Sequence, residues 1–151
     1  MLNKYNTFIF DLDGTVYRGD NIIPNADVTI NAIKSLGKRV LFISNKTTGT
    51  VNDYYLFLKS FGLDIEEDEI LNSTIVLKNY LLKNYPHKKF YAIGEQIFID
   101  ELTAAGLKYS GNPIEIEIII VTLDRTLNYE KLEVAAKAAQ PPSREGLVSI
   151  R

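Results

Sequence analysis

The sequence predicts an α/β fold with a mainly parallel sheet, and two observations carry that expectation. Short β-like runs alternate with amphipathic helical stretches along the chain. The first run, Phe8-Ile9-Phe10, opens into two carboxylates at i and i+2, Asp11 and Asp13, followed by Gly14 and Thr15. In open α/β sheets, ligands bind outside the carboxyl ends of the strands, where this run would release its acids. The 151 residues suffice for one domain or two small units. A composition of 46% hydrophobic and 24% charged residues is that of a globular chain rather than a disordered one.

Thr7 to Phe10 reads as the first strand. After a polar loop, Asn25 is placed to cap a helix that carries Ala26, Ile30 and Ile33 on one face, with Gly37 as its left-handed stop. Arg39 to Ile43 is the second strand, opening into Ser44-Asn45-Lys46-Thr47-Thr48-Gly49. Thr50 would cap a second helix with Val51, Tyr54, Leu58 and Phe61 inside and Gly62 beyond its end. The acidic run from Asp64 to Glu69 reads as a solvated connection and a domain boundary; consecutive acids point in different directions, which disfavours a metal cluster. A helix from Ser73 stops before Pro86. Two βα units follow: strand Lys89 to Ile93 with helix Glu95 to Ala105, then strand Ile116 to Val121 with helix Tyr129 to Ala139. The stretch from Gln140 to Arg151 shows no useful periodicity and reads as an irregular tail. The implied division is 1–73, 74–139 and a 140–151 tail.

Several function classes drop out on composition. A formal net charge of -2 gives no long-range attraction to nucleic acid or an anionic membrane. The absence of cysteine excludes a thiol nucleophile, a disulfide framework and Cys-based zinc sites. The single histidine, His87, sits in a Pro-His-Lys-Lys turn and reads as a solvated loop residue, which removes Ser-His-Asp and multi-histidine chemistry. No signal-type apolar segment lies in Met1 to Asn6, and the run Ile118 to Val121 is far too short to span a bilayer. A cytoplasmic location follows by default.

The paired acids suit phosphoryl transfer. A carboxylate attacking a phosphate dianion meets repulsion of about 4 kcal/mol per charge pair at ~4 Å and an effective dielectric of ~20. That repulsion argues for a cation, and Mg²⁺ is the hard, oxygen-seeking ion that carboxylates hold. Asp11 would attack to give an aspartyl-phosphate. Asp13 would protonate the leaving alkoxide and then deprotonate the attacking water. Gly14 lets the backbone turn sharply, and the Thr15 hydroxyl can orient the loop. Ser44 and Asn45 emerge one βα unit later, where a hydroxyl and amide donors can hold a phosphoryl oxygen.

Together these residues resemble the haloacid dehalogenase-like hydrolase superfamily. Asp11-Leu12-Asp13-Gly14-Thr15 is similar to its first motif and Ser44-Asn45 to its second. Val16-Tyr17-Arg18-Gly19, Ala92-Ile93-Gly94-Glu95 and the stretch Thr122 to Tyr129 resemble subclass IIA, the NagD-like phosphatases. The resemblance runs from about residue 6 to residue 139. It implies a Rossmann-like parallel-sheet core, incomplete here, with a partial α/β cap inserted after Ser73 that selects the leaving group. It implies Asp11 as nucleophile, Asp13 as acid/base, and both as Mg²⁺ ligands, with the Asp13 backbone carbonyl also on the metal. Gly14, Thr15, Ser44 and Asn45 would surround the substrate phosphate; Lys46 either contacts it as well or is a surface lysine of the turn. Asp124 and Arg125 either line the cap side or form a strand-end turn, the turn being preferred.

The family's later motifs, a charge-balancing lysine and an acidic pair completing the Mg²⁺ site, are expected beyond the end of this chain. Lys38 precedes its strand and lies at the wrong sheet edge to replace the lysine, and Glu66 to Glu69 are poorly placed to replace the acids. The expected function is an Mg²⁺-dependent phosphatase of small phosphorylated metabolites. A catalytically incomplete phosphate- or Mg²⁺-binding module is the alternative. A glycosyltransferase-type metal site is disfavoured, because the acids lie so near the N-terminus. Neither nucleic acid nor membrane is expected as a partner. The apolar edge Phe8-Ile9-Phe10 would be left open, favouring self-association into a homo-oligomer.

Overall fold

The computed structural model describes residues 4–140 and the backbone of 147–149. The chain forms two compact units, one from Met1–Asn45 and Val51–Asn72, the other from Lys46–Thr50 and Ser73–Arg151.

In the first unit, strand β1 (Thr7–Asp11) is followed by a hairpin of β2 (Tyr17–Arg18) and β3 (Asn21–Ile22), helix α1 (Ala26–Ser35) and strand β4 (Arg39–Ser44). Helix α2 (Val51–Ser60), a 3-10 turn at Glu67–Glu69 and strand β5 (Ile70–Asn72) complete it. The sheet has the order β1-β4-β5, all parallel, with Phe10 opposite Phe42, Asp11 opposite Ile43 and Ser44 opposite Asn72. Alternation along the strands divides the residues between two faces. Val40, Phe42, Ile70 and Asn72 are buried on the face that meets α1 and α2, whose inward residues are Ile30, Ile33, Val51, Tyr54 and Leu58. On the opposite face Ile9, Ile43 and Leu71 are 61%, 44% and 45% exposed.

In the second unit, α3 (Ser73–Asn84), β6 (Lys89–Ile93), α4 (Gln96–Ala104), β7 (Lys108–Tyr109), β8 (Ile118–Val121), α5 (Tyr129–Ala139) and β9 (Leu147–Ser149) build a parallel sheet in the order β7-β6-β8-β9. Phe90, Ala92, Ile118 and Ile120 pack with Leu77, Leu81, Phe98 and Leu102 on one face. Tyr91, Ile93 and Ile119 pack with Ala135 and Ala138 of α5 on the other. Both faces are therefore covered, as a run of four buried residues in β6 requires.

The structure corrects several expectations. Asn25 does not cap α1 with its side chain; it is left-handed, at φ 67° and ψ 8°. The amide of Ala26 donates to the Ile23 carbonyl at 3.0 Å. Pro24 and Asn25 thus occupy the centre of a type II turn, whose third position demands positive φ. Gly37 and Gly62 do adopt the left-handed conformation expected past α1 and α2. The acidic run is not merely solvated: Ile65 is fully buried, and Glu69 pairs with Lys34 of α1 at 2.6 Å. The division between units falls just beyond it, after Asn72. Within the stretch expected to be irregular, Leu147–Ser149 pairs in parallel with β8, whose outer edge offers unpaired backbone groups. Residues 141–146, 150 and 151 lie outside the described residues.

Candidate active site

β1 delivers Asp11 to the carboxyl edge of its sheet, opposite Ile43 of β4. The chain then turns tightly around one carbonyl. The amides of Thr15, Val16 and Tyr17 all approach the Leu12 oxygen, at 3.3, 2.9 and 3.2 Å, and Leu12 itself is fully buried. Gly14 sits at φ 84°, a conformation that costs a side-chain-bearing residue ~1–2 kcal/mol. Its amide donates to the Tyr17 carbonyl at 2.7 Å. Gly14 therefore shapes the loop and has no amide left for a phosphate, and the Thr15 amide is committed in the same way. Of the expected donors on this loop, the Thr15 hydroxyl remains as the candidate.

Asp11 and Asp13 are both exposed to solvent. They share an electrostatic neighbour, the phenol of Tyr17, which is 3% exposed. Burial, then Tyr54, then the carboxylates of Asp13 and Asp11 push the Tyr17 hydroxyl up to about 12. The phenol thus keeps its proton throughout the neutral range. The Tyr17 ring is held edge-on against Phe57 of α2, with centroids 5.0 Å apart. Tyr17 is the site residue that pattern reading passed over; the two-residue loop Gly19-Asp20 behind it is the hairpin signal that would have located it.

Ser44 ends β4 at the same carboxyl edge. It is 7% exposed and lies opposite Asn72, itself almost fully buried, at the end of β5. Register places Ser44 on the helix-covered face and Asp11 on the open one, so the two lie at the same sheet edge but on opposite faces. Asn45 follows and is exposed. Lys46, expected beside the phosphate, groups instead with the second unit. Among the described residues no cluster of three metal-ligating side chains forms.

The second unit has its own polar cluster at the carboxyl ends of β6 and β8. Lys131 Nζ donates to the Gly94 carbonyl (3.0 Å), Asp124 Oδ2 (2.6 Å) and Thr126 Oγ1 (2.8 Å). Asp124 Oδ1 accepts from the Thr126 amide and hydroxyl at 2.8 and 2.7 Å. Burial raises the Asp124 carboxyl, but Lys131 and Thr126 together outweigh it and hold the group below its ordinary value. Glu95 leaves the start of α4 uncapped by its side chain and instead receives Arg125 through Nε at 2.6 Å and a terminal nitrogen at 2.8 Å. That guanidinium bond is the main reason the Glu95 carboxyl is lowered. Asp124 and Arg125 thus form the strand-end turn that was preferred for them, cross-braced to β6. Thr47 joins the same unit, its hydroxyl 2.7 Å from that of Thr122.

Comparison with known proteins decides the family. The model of the haloacid dehalogenase-like hydrolases matches residues 8–108, which includes both acids, Ser44 and the first βα unit after Ser73. The chain belongs to the haloacid dehalogenase-like hydrolase family. It is 35% identical to the sugar-phosphatase AraL of Bacillus subtilis over 138 residues, covering 90% of this chain and 50% of that protein. It is 32% identical to the chloroplastic phosphoglycolate phosphatase 1A of Arabidopsis thaliana, over 88% of this chain and 42% of that one. The p-nitrophenyl phosphatase of Archaeoglobus fulgidus superposes with a TM-score of 0.86 at 30% identity, covering 97% of this chain and 55% of the other. The chain thus spans about half the length of the relatives it matches. Among its described residues no helix is long and apolar enough to cross a membrane.

Proposed function

We propose that this chain carries the nucleophile-bearing part of an Mg²⁺-dependent phosphatase of small phosphomonoesters. The observation behind the proposal is the pair of exposed acids released together at the carboxyl end of β1, both acting on one buried phenol. The phosphatase names of relatives at 30–35% identity support the reaction class.

In this reading an Asp11 oxygen attacks phosphorus as the bond to the leaving oxygen breaks, giving an aspartyl-phosphate. Asp13 passes its proton to the departing alkoxide and later takes one from the water that hydrolyses the acyl phosphate. Inorganic phosphate leaves and the Asp11 carboxylate is restored. The hydroxyls of Ser44 and Thr15 and the amide of Asn45 are the proposed hydrogen-bond donors to the phosphoryl oxygens. The donor set fits Mg²⁺, an ion commonly held by one or two carboxylates with substrate phosphate and water filling its other positions. Asp11 and Asp13 would hold it. Bound there, it would supply the positive charge that offsets repulsion between carboxylate and phosphate.

The test is p-nitrophenyl phosphate turnover with Mg²⁺ by wild type and Asp11→Asn, with thermal melts as the folding control. Loss of the nucleophile is expected to lower kcat by about 10⁴-fold or more. Equal rates in two folded proteins would remove Asp11 from its role. The lack of a cluster of three metal-ligating side chains among the described residues favours a second reading: a phosphate- and Mg²⁺-binding module without turnover. Calorimetric binding of both ions by a wild-type chain that does not hydrolyse p-nitrophenyl phosphate would select it.

A further inference from the structure

We propose that Thr122 is a positioning residue for phosphate binding, acting through Thr47 on the loop that presents Asn45. The proposal rests on the reading of Asn45 as a phosphate donor. Past Ser44 the chain leaves β4 and runs through 45–47 in neither helix nor strand. Such a segment has no ladder of its own, so anchors at its ends decide where its donors point. On one side the anchor is Ser44, the last residue of β4, in register with Asn72 of β5. On the other it is Thr47, 4% exposed, whose hydroxyl lies 2.7 Å from that of Thr122. Asn45 and Lys46 are strung between these two points. A chain reaches at most about 3.6 Å per residue, so Asn45 stands within ~7 Å of the Thr47 anchor.

The direction of that bond follows from its surroundings. A hydroxyl has one proton to give. Thr122 gives its own to the Leu123 carbonyl at 3.1 Å, so Thr47 is the donor and Thr122 the acceptor. Thr122 is suited to hold a loop because it sits on a stiff part of the chain. Its amide donates to the Ile93 carbonyl at 2.9 Å, carrying the β6–β8 pairing one bond beyond Val121. Its side chain rests over Gly94, where a Cβ would come within 3.4 Å of Thr122 Oγ1 and 3.3 Å of the Phe98 ring. Thr47 and Thr122 are both β-branched and stiff about χ1, so fixing a hydroxyl also fixes the backbone that carries it. Without Thr122 as acceptor, the buried Thr47 hydroxyl must find another partner or water, and the loop moves with it. A shift on the order of 1 Å is enough to spoil a positioned donor.

The test is calorimetric titration of the full chain with inorganic phosphate in the presence of Mg²⁺, with thermal melts as the folding control. Thr122→Val, which keeps the volume and removes the acceptor, is expected to weaken phosphate binding about tenfold. Thr122→Ser keeps the hydroxyl and should bind phosphate as wild type does. Thr47→Val removes the same bond from its other end and should match Thr122→Val. The double variant should be no weaker than either single one, as two ends of one bond require. Mg²⁺ titrated alone should give one affinity throughout, since Asp11 and Asp13 are untouched. Wild-type phosphate affinity in folded Thr122→Val or Thr47→Val, failure of Thr122→Ser to restore it, additive losses, or an equal loss of Mg²⁺ affinity each overturn the proposal. Asn45→Ala separates this role from the reading beneath it. Phosphate affinity lost in Asn45→Ala but kept in Thr122→Val sinks the positioning role alone. A wild-type chain that binds no phosphate, or Asn45→Ala at wild-type affinity, ends both.

Discussion

β4 and β6 are both apolar runs at the centre of a parallel sheet, and they are buried very differently. β6 is covered by α3 and α4 on one side and α5 on the other. β4 has helices on one side and solvent on the other. The carboxyl edges differ in the same sense. In the second unit the acids there are neutralised internally, Asp124 by Lys131 and Glu95 by Arg125. In the first unit Asp11 and Asp13 stand exposed. Charged groups matched by fixed partners do structural work, whereas the exposed carboxylate of Asp11 at a strand end faces the solvent from which a cation and a substrate would come. The comparison therefore places the proposed chemistry in the first unit and rigidity in the second.

The contrast can be broken at its strongest point first. Phe90→Ala on β6 should cost about 3–5 kcal/mol of stability by chemical denaturation, against less than about 0.5 kcal/mol for Ile9→Ala on the open face. Similar costs at both positions would mean that the two sheets are equally covered. Next in size is Lys131→Met, which strands the Asp124 carboxylate, 2% exposed, without its cation. We expect a loss of about 3 kcal/mol, at the lower end for a buried pair because Lys131 is itself partly exposed.

The pH dependence supplies an independent check on that pair. The folded-state value of Asp124 is lowered, so the unfolded chain binds the extra proton first as pH falls. The stabilisation is then complete above the ordinary carboxylate range of about 4 and is lost as pH drops through the folded value. Denaturation midpoints of wild type should fall across that acid window, and Lys131→Met should flatten the fall. Gly14→Ala, at φ 84°, should cost ~1–2 kcal/mol without touching the core. Smallest is Thr74→Val in the second unit. The Thr74 hydroxyl is fully buried and has no hydrogen-bond partner among the described residues, so removing it should raise stability by about 1 kcal/mol.

Much of the fold was legible because its long elements follow simple periods. β1, β4, β6 and all five helices lie where apolar spacing and Gly or Pro punctuation put them. The short strands were not legible. β5 and β9 have three residues each and β7 two, too few for alternation to register, and each exists because a longer strand beside it offers backbone partners. Asn25 misled because the preference of asparagine for caps competes with its tolerance of positive φ, and Pro24 decided in favour of the turn. At the site, Asp11 and Asp13 could be read from the strand–acid–glycine pattern. That the Gly14 and Thr15 amides are already engaged could not, since it depends on how the chain folds back onto the Leu12 carbonyl.

The hydrogen bond between Thr47 and Thr122 has a consequence for how this polypeptide can be cut and recombined. Five residues from the early part of the sequence, Lys46–Thr50, are stitched into a body otherwise made from Ser73 onward. A clone starting at Ser73 would keep the Thr122 hydroxyl and lose its counterpart. The later segment is therefore not a cassette to be swapped at one junction, and a chimera that exchanges it should carry its own version of 46–50 as well.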